Sequence, residues 1–183
     1  MHSFFRRQLA LYASYHRDAR NCVTHMIGIP VIFLAVTLPL SLLPVTVSGF
    51  RVNAALVLLI PALMVWLLLD VAIGSVILAA ALALLAIAAC IAAMVGSVAV
   101  WSIAAALFAA GWTLQIVGHA HFEHRKPALL DNPVHMLIGP MFMVAKLLVA
   151  LGLRSDLTDA IRSAAEPAAA VPVSPPNRAV HSP

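Results

Sequence analysis

The sequence predicts an all-α integral membrane protein with about four short-looped transmembrane helices, an N-terminal interfacial helix and a C-terminal interfacial or re-entrant helix. Three observations predict it. Of 183 residues, 63% are hydrophobic and only 10% are charged, and the mean hydropathy is +1.01. A soluble domain carries about 25% charged residues, so the bilayer must act as solvent for most of this chain. An almost unbroken apolar run extends from residue 26 to residue 117, and turn signals punctuate it at Ser48-Gly49, Gly74-Ser75 and Gly96-Ser97. The folded unit is expected to be a single membrane-embedded domain, residues 1–153, followed by a polar, Pro/Ala-rich disordered tail, residues 154–183.

The elements follow in order. Residues 3–18 place Phe4, Phe5, Leu9, Tyr12 and Tyr15 on one side of a helical wheel and Arg6, Arg7, Arg17 and Asp18 on the other. That pattern suits a helix in the membrane interface, and equally a soluble amphipathic helix. It contains no apolar run of signal-peptide type, so no cleavable signal is expected. The turn signals divide the long run into residues 26–47, 50–73, 76–95 and 98–117, each near the roughly 20 residues needed to cross a bilayer. Their short connections make them antiparallel neighbours. Asp70 and Arg51 sit near span ends, where a charge reaches the headgroups. A second apolar run, residues 134–153, carries Lys146. A lysine at mid-depth costs about 2.5–3.5 kcal/mol, which favours an interfacial or re-entrant helix there. Residues 164–183 are rich in Ala, Pro and Ser and are expected to be disordered.

Charge and cysteine content exclude some functions. The formal charge of +4 is spread over scattered basic residues, which read as headgroup-facing orienting charges rather than a nucleic-acid surface. Cys22 and Cys90 form no redox motif and no disulfide is expected. Four Arg precede the first span, and Arg125 and Lys126 follow the fourth. The positive-inside bias places both segments in the cytoplasm, with the protein in the plasma or inner membrane of a bacterium or the endoplasmic reticulum of a eukaryote. Oligomeric state is not predicted.

Six of the eight histidines flank the apolar run, with His16 and His25 before it and His119, His121, His124 and His135 after it. An even number of spans puts the two groups at the same membrane face; an odd number would leave them about 30 Å apart. Trp112, Gln115, His119 and Glu123 fall within an arc of about 80° on one helix, and His121 and His124 point away from it. His16 and His25 would face opposite ways in one continuous helix, so a break between them is needed if both rings join one site. Asn21 is a good helix N-cap, and Pro30 disfavours helix at Ile29. Imidazoles with a carboxylate suit Fe(II), Zn(II), Mn(II) or Cu(II). Isolated interfacial histidines satisfied by neighbours or water are the alternative. A non-catalytic membrane metal- or lipid-binding protein is the competing function. A multi-histidine desaturase would require His-x3-His spacing, which is absent.

The stretches Tyr15-His16-Arg17 with Asn21, His25-Met26-Ile27-Gly28-Ile29-Pro30, Trp112 through His119, Phe122-Glu123 and Lys126 through Asn132 resemble the small membrane 2-hydroxy fatty acid dioxygenases. Gly139-Pro140 adds a weaker match. The resemblance covers about residues 5–153. It implies an Fe(II)-dependent enzyme that uses O2 to shorten a 2-hydroxy fatty acid by one carbon, releasing CO2. His16, His25 and His119 are then the expected essential histidines and metal ligands. Glu123, Asn21 and Gln115 would be further ligands or the groups that hold them. A 2-hydroxy acid chelates iron through its carboxylate and hydroxyl oxygens, and Arg17, Arg125 and Lys126 are placed to attract a carboxylate, or to anchor headgroups.

Overall fold

The computed structural model describes residues 3–162; the Pro-rich segment 164–183 lies outside them. The chain is helical apart from one hairpin: α1 Ser3–Ala13, α2 Ala19–Leu40, β1 Pro44–Val47, β2 Phe50–Asn53, α3 Ala54–Leu69, α4 Val71–Met94, α5 Ser97–Val117, α6 His135–Ala150 and α7 Thr158–Arg162. A π-helical turn, Gly118–Glu123, extends α5, and short 3-10 turns precede α6 and α7. Three helices are long and apolar enough to cross a membrane: Ala19–Leu40, Val71–Met94 and Ser97–Glu123. The helix Ala54–Leu69 is apolar but shorter.

The first predicted span begins seven residues early. Asp18 rather than Asn21 caps α2, its carboxylate accepting from the Arg20 N–H at 2.8 Å. The helix then runs through Pro30 and Pro39. The break that the two histidines require falls at residues 14–18, between α1 and α2.

Ser48 and Gly49 do turn the chain, with φ of 49° and 85°. Two successive positive φ values suit a tight hairpin, and strands β1 and β2 pair antiparallel across it, with Val47 opposite Phe50. The β-branched run Val45-Thr46-Val47 favours a strand here, a signal masked in the sequence by the apolar residues around it. The second helix therefore starts at Ala54, capped by Asn53.

The next turn is not at Gly74-Ser75 but at Asp70, whose carboxylate caps Ile73 at 3.0 Å. Gly74 serves close approach instead: a Cβ there would lie 2.8 Å from the Leu67 backbone nitrogen. That lets α4 fold directly back on α3. Gly96 opens α5 as expected.

Helix α1 buries its apolar face against the chain itself. Phe5, Leu9 and Tyr12 pack in one cluster with Ile138, Phe142, Leu157 and Ala160. Residues 155–162, assigned to the tail from sequence, are thus helical and contribute buried side chains. Arg154 joins them to the bundle with two parallel 2.9 Å bonds to the Asp70 carboxylate. Lys146 of α6 reaches Cys22 Sγ at 2.9 Å and lies over the Phe142 ring. Its charge is directed toward the first turns of α2, away from the middle of the bundle.

Candidate metal centre

Helices α2 and α5 are antiparallel and tightly packed, so the start of α2 meets the end of α5. Gly118 makes this possible, since a side chain there would overlap Thr24 Oγ1 and Asn21 Oδ1. His16 comes from the turn before α2, His25 from the second turn of α2, and His119 from the π turn after α5. Their available ligand atoms lie within 4.8 Å of one another, and all three residues are buried. Ring centroids are 4.5 Å apart for His16 and His25, and 4.8 Å for each of them with His119. The rings meet edge to face.

The donor set fits a metal on its own chemistry. His16 Nδ1 lies 2.9 Å from the Tyr12 carbonyl, and His25 Nδ1 lies 2.9 Å from the Asn21 carbonyl. A carbonyl only accepts, so both Nδ1 atoms carry the proton and both Nε2 lone pairs are left for another partner. His16 Nε2 and His119 Nδ1 are buried with no protein partner. Burial pushes the His16 imidazole down to about 2, and the adjacent His25 adds to this. His16 is therefore neutral, as a ligand must be. The Tyr12 ring stacks on His16 at 4.1 Å and fixes its plane.

Glu123 takes a different place from the one its helical stripe predicts. The π turn is wider than an α turn, and it carries Glu123 onto the start of α2. Its Oε1 accepts from the Asp18 N–H at 2.9 Å and from Asn21 Nδ2 at 3.1 Å. Asn21 is fully buried, and its carbonyl holds His25. Glu123, Asn21 and His25 thus form one hydrogen-bonded chain behind the imidazoles, the arrangement that orients metal-binding histidines.

Gln115 and His119 both line a cavity of about 310 Å³ between α2, α3 and the chain leading into α6. Three cations proposed from sequence lie outside that lining. Arg17 is exposed; Arg125 sits 3.9 Å above the Tyr15 ring and donates to the Ser14 carbonyl; Lys126 pairs with Asp131. His121 and His124 are exposed, with His124 in the left-handed conformation that ends the π turn.

Three residues given no role by sequence reasoning stand at the site. Tyr12 reads as one more apolar position of α1. Trp112 belongs to the helical stripe but is also an ordinary span-end aromatic. His135 opens an apolar helix directly after a proline, and only its company among clustered histidines could have flagged it.

The fold and site together define a helical protein with long apolar spans and a buried three-histidine centre beside an apolar cavity. The family described as 2-hydroxy-palmitic acid dioxygenase Mpo1-like matches residues 2–151. The chain is 33% identical over 148 residues to the 2-hydroxy-palmitic acid dioxygenase MPO1 of Saccharomyces cerevisiae, covering 80% of this chain and 81% of the yeast protein. This chain belongs to the Mpo1-like family. No solved structure matches it.

Proposed function

We propose that this protein is a membrane-embedded Fe(II)-dependent dioxygenase that shortens 2-hydroxy fatty acids by one carbon. The overall reaction balances with one O2 per acid: R–CH(OH)–COOH and O2 give R–COOH, CO2 and water. The observation that carries the reading is a cluster of three buried imidazoles, at least two with free Nε2 lone pairs, of which His25 and His119 line an apolar cavity, in a chain of this family. His16, His25 and His119 would hold the metal. Fe(II), when bound, supplies the redox chemistry that joins dioxygen to a chelating 2-hydroxy acid. The chain's own residues do the rest. Tyr12 and the Asn21–Glu123 pair set the imidazole planes and tautomers, and the apolar cavity walls exclude water from the acyl chain.

Helices α2 to α5 serve in this reading as four crossings that return both histidine segments to the cytoplasmic face, with α1 and α6 at that face. Large apolar side chains on the outer surface support it, among them Leu58, Leu68, Leu82, Ile87 and Phe108. Helix α3 is about 24 Å long at 1.5 Å per residue, short of a hydrocarbon core of about 30 Å. The β1–β2 hairpin extends that crossing into the interfacial layer, where its outward-facing backbone groups meet water and headgroups.

Anaerobic purification with metal analysis, followed by O2 uptake on 2-hydroxypalmitate, tests the function. Expected is bound iron, O2 consumption, and an acid one carbon shorter. Ala at His16, His25 or His119 is expected to strip most of the iron and abolish turnover. Iron-loaded protein that consumes no O2 with any 2-hydroxy fatty acid would overturn the enzyme reading in favour of a binding protein. Full iron content and normal turnover in His16→Ala and His119→Ala would overturn the metal site.

A further inference from the structure

The cavity beside the triad has polar chemistry that the metal does not use. Trp112 Nε1, Gln115 Nε2 and His135 Nε2 are all buried without a hydrogen-bond partner, and all three residues line this one cavity with His25 and His119. A buried polar group without a partner loses its hydration with nothing in return, and native folds keep few such groups. Three at one cavity mark a place where a ligand supplies the missing atoms. Two other polar groups of the lining are already engaged: Trp66 Nε1 donates to the Leu137 carbonyl at 2.8 Å and the Thr37 hydroxyl donates to the Phe33 carbonyl at 2.9 Å.

The three orphans differ in what they need. Indole Nε1 and the amide Nε2 are donors only. His135 Nδ1 lies 3.1 Å from the Ala128 carbonyl, which accepts its N–H and so leaves Nε2 as an acceptor. His135 meets the Tyr12 ring at a right angle, with centroids 5.5 Å apart, while Tyr12 itself stacks on His16. The set therefore places two donors and one acceptor on residues that line the same cavity as His25 and His119. The cavity lining holds no Lys, Arg, Asp or Glu, so apart from the metal only neutral dipoles can meet an anion there.

We propose that Trp112, Gln115 and His135 form the head-recognition site for the substrate. The Trp112 and Gln115 N–H groups donate to a carboxylate, and His135 Nε2 accepts from the hydroxyl on the adjacent carbon. This deepens the dioxygenase reading and rests on it. The sites expected at Arg17, Arg125 and Lys126 are thereby replaced by uncharged donors deeper in the protein. The acyl chain occupies the apolar part of the same cavity, which follows α2 from His25 to Thr37 and ends against Ala55. Twelve residues of helix give it a depth of about 18 Å.

The test uses the iron-loaded full chain under anaerobic conditions, with binding of 2-hydroxypalmitate, palmitate and the uncharged 1,2-diol of the same chain length measured by calorimetry. Trp112→Phe and Gln115→Glu preserve shape, and each is expected to weaken both acids at least tenfold while the diol binds nearly as before. His135→Phe is expected to abolish the preference for 2-hydroxypalmitate over palmitate, leaving palmitate affinity unchanged. Iron content is expected to stay at the wild-type level in all three. Wild-type affinity for 2-hydroxypalmitate in Trp112→Phe and Gln115→Glu, with iron and O2 uptake retained, would overturn this proposal alone. A hydroxyl preference that survives His135→Phe would remove His135 from the site. Wild-type protein that neither binds any acid nor consumes O2 would instead overturn the dioxygenase reading beneath it.

Discussion

Nine residues separate His16 from His25, half a turn out of phase in a continuous helix, yet their rings meet at 4.5 Å. The turn at 14–18 makes this possible by leaving His16 outside α2 and tied to the Tyr12 carbonyl. Sequence identified the histidines and the need for a break between them. It could not locate the break, because Asp18 and Asn21 are both competent caps and only packing decides between them. Glu123 shows the opposite limit. Its spacing from Gln115 and His119 predicts a shared face, and one π turn redirects it to Asn21 and Asp18. Glu123→Gln is therefore expected to lower iron affinity or rate by roughly 10–100-fold, with full iron content recovered at saturating metal. Titrating iron into the variant checks this, and iron that never binds at saturation would make Glu123 a ligand. His121→Ala, an exposed control, is expected to behave like the wild type.

At the scale of elements, breaks were legible where they coincide with special backbone conformations. Ser48-Gly49 has two positive φ values and Gly96 opens a helix. The break at Asp70 was missed because the neighbouring Gly74 is the stronger turn signal, although its role is to admit the α3 backbone. The Asp70 carboxylate has two tasks, capping α4 and receiving the Arg154 fork. The pair is largely shielded, with side-chain exposures of 7% for Asp70 and 18% for Arg154. Removing one partner of a shielded pair leaves the other uncompensated, at a cost of about 3–5 kcal/mol when burial is complete. Truncation after Leu153 removes Arg154 together with buried Leu157 and Ala160, and is expected to lower thermal stability and iron retention. Truncation after Ser163 keeps all three and is expected to match the full chain. Equal melting of the two truncations would show that α7 adds nothing to the fold.

For the whole molecule, the decisive inference is one of parity. Two polar segments separated by about a hundred apolar residues can share a site only if the chain between them crosses the protein an even number of times. Three of the helices α2 to α5 are long and apolar enough to cross a membrane, and the end of α5 returns to the start of α2. Turn signals in the sequence anticipate that return, although the one at Gly74-Ser75 falls four residues past the actual break at Asp70. Side-chain convergence at the cavity did not follow from counting, because Trp112 and His135 look like ordinary span-end residues until the helices are packed. The same parity makes a topological prediction. In a Cys90→Ser background, cysteines introduced at the exposed positions Arg17 and His121 are expected to react with a membrane-impermeant thiol reagent from the same side, the cytoplasmic one. A cysteine at Ser48, in the hairpin turn, is expected to react only from the other. Labelling of positions 17 and 121 from opposite faces of sealed membrane vesicles would separate the two histidine segments by the bilayer and dismantle the shared centre. Labelling of all three from one face would instead keep the histidines together but deny that α2 and α3 each cross the membrane.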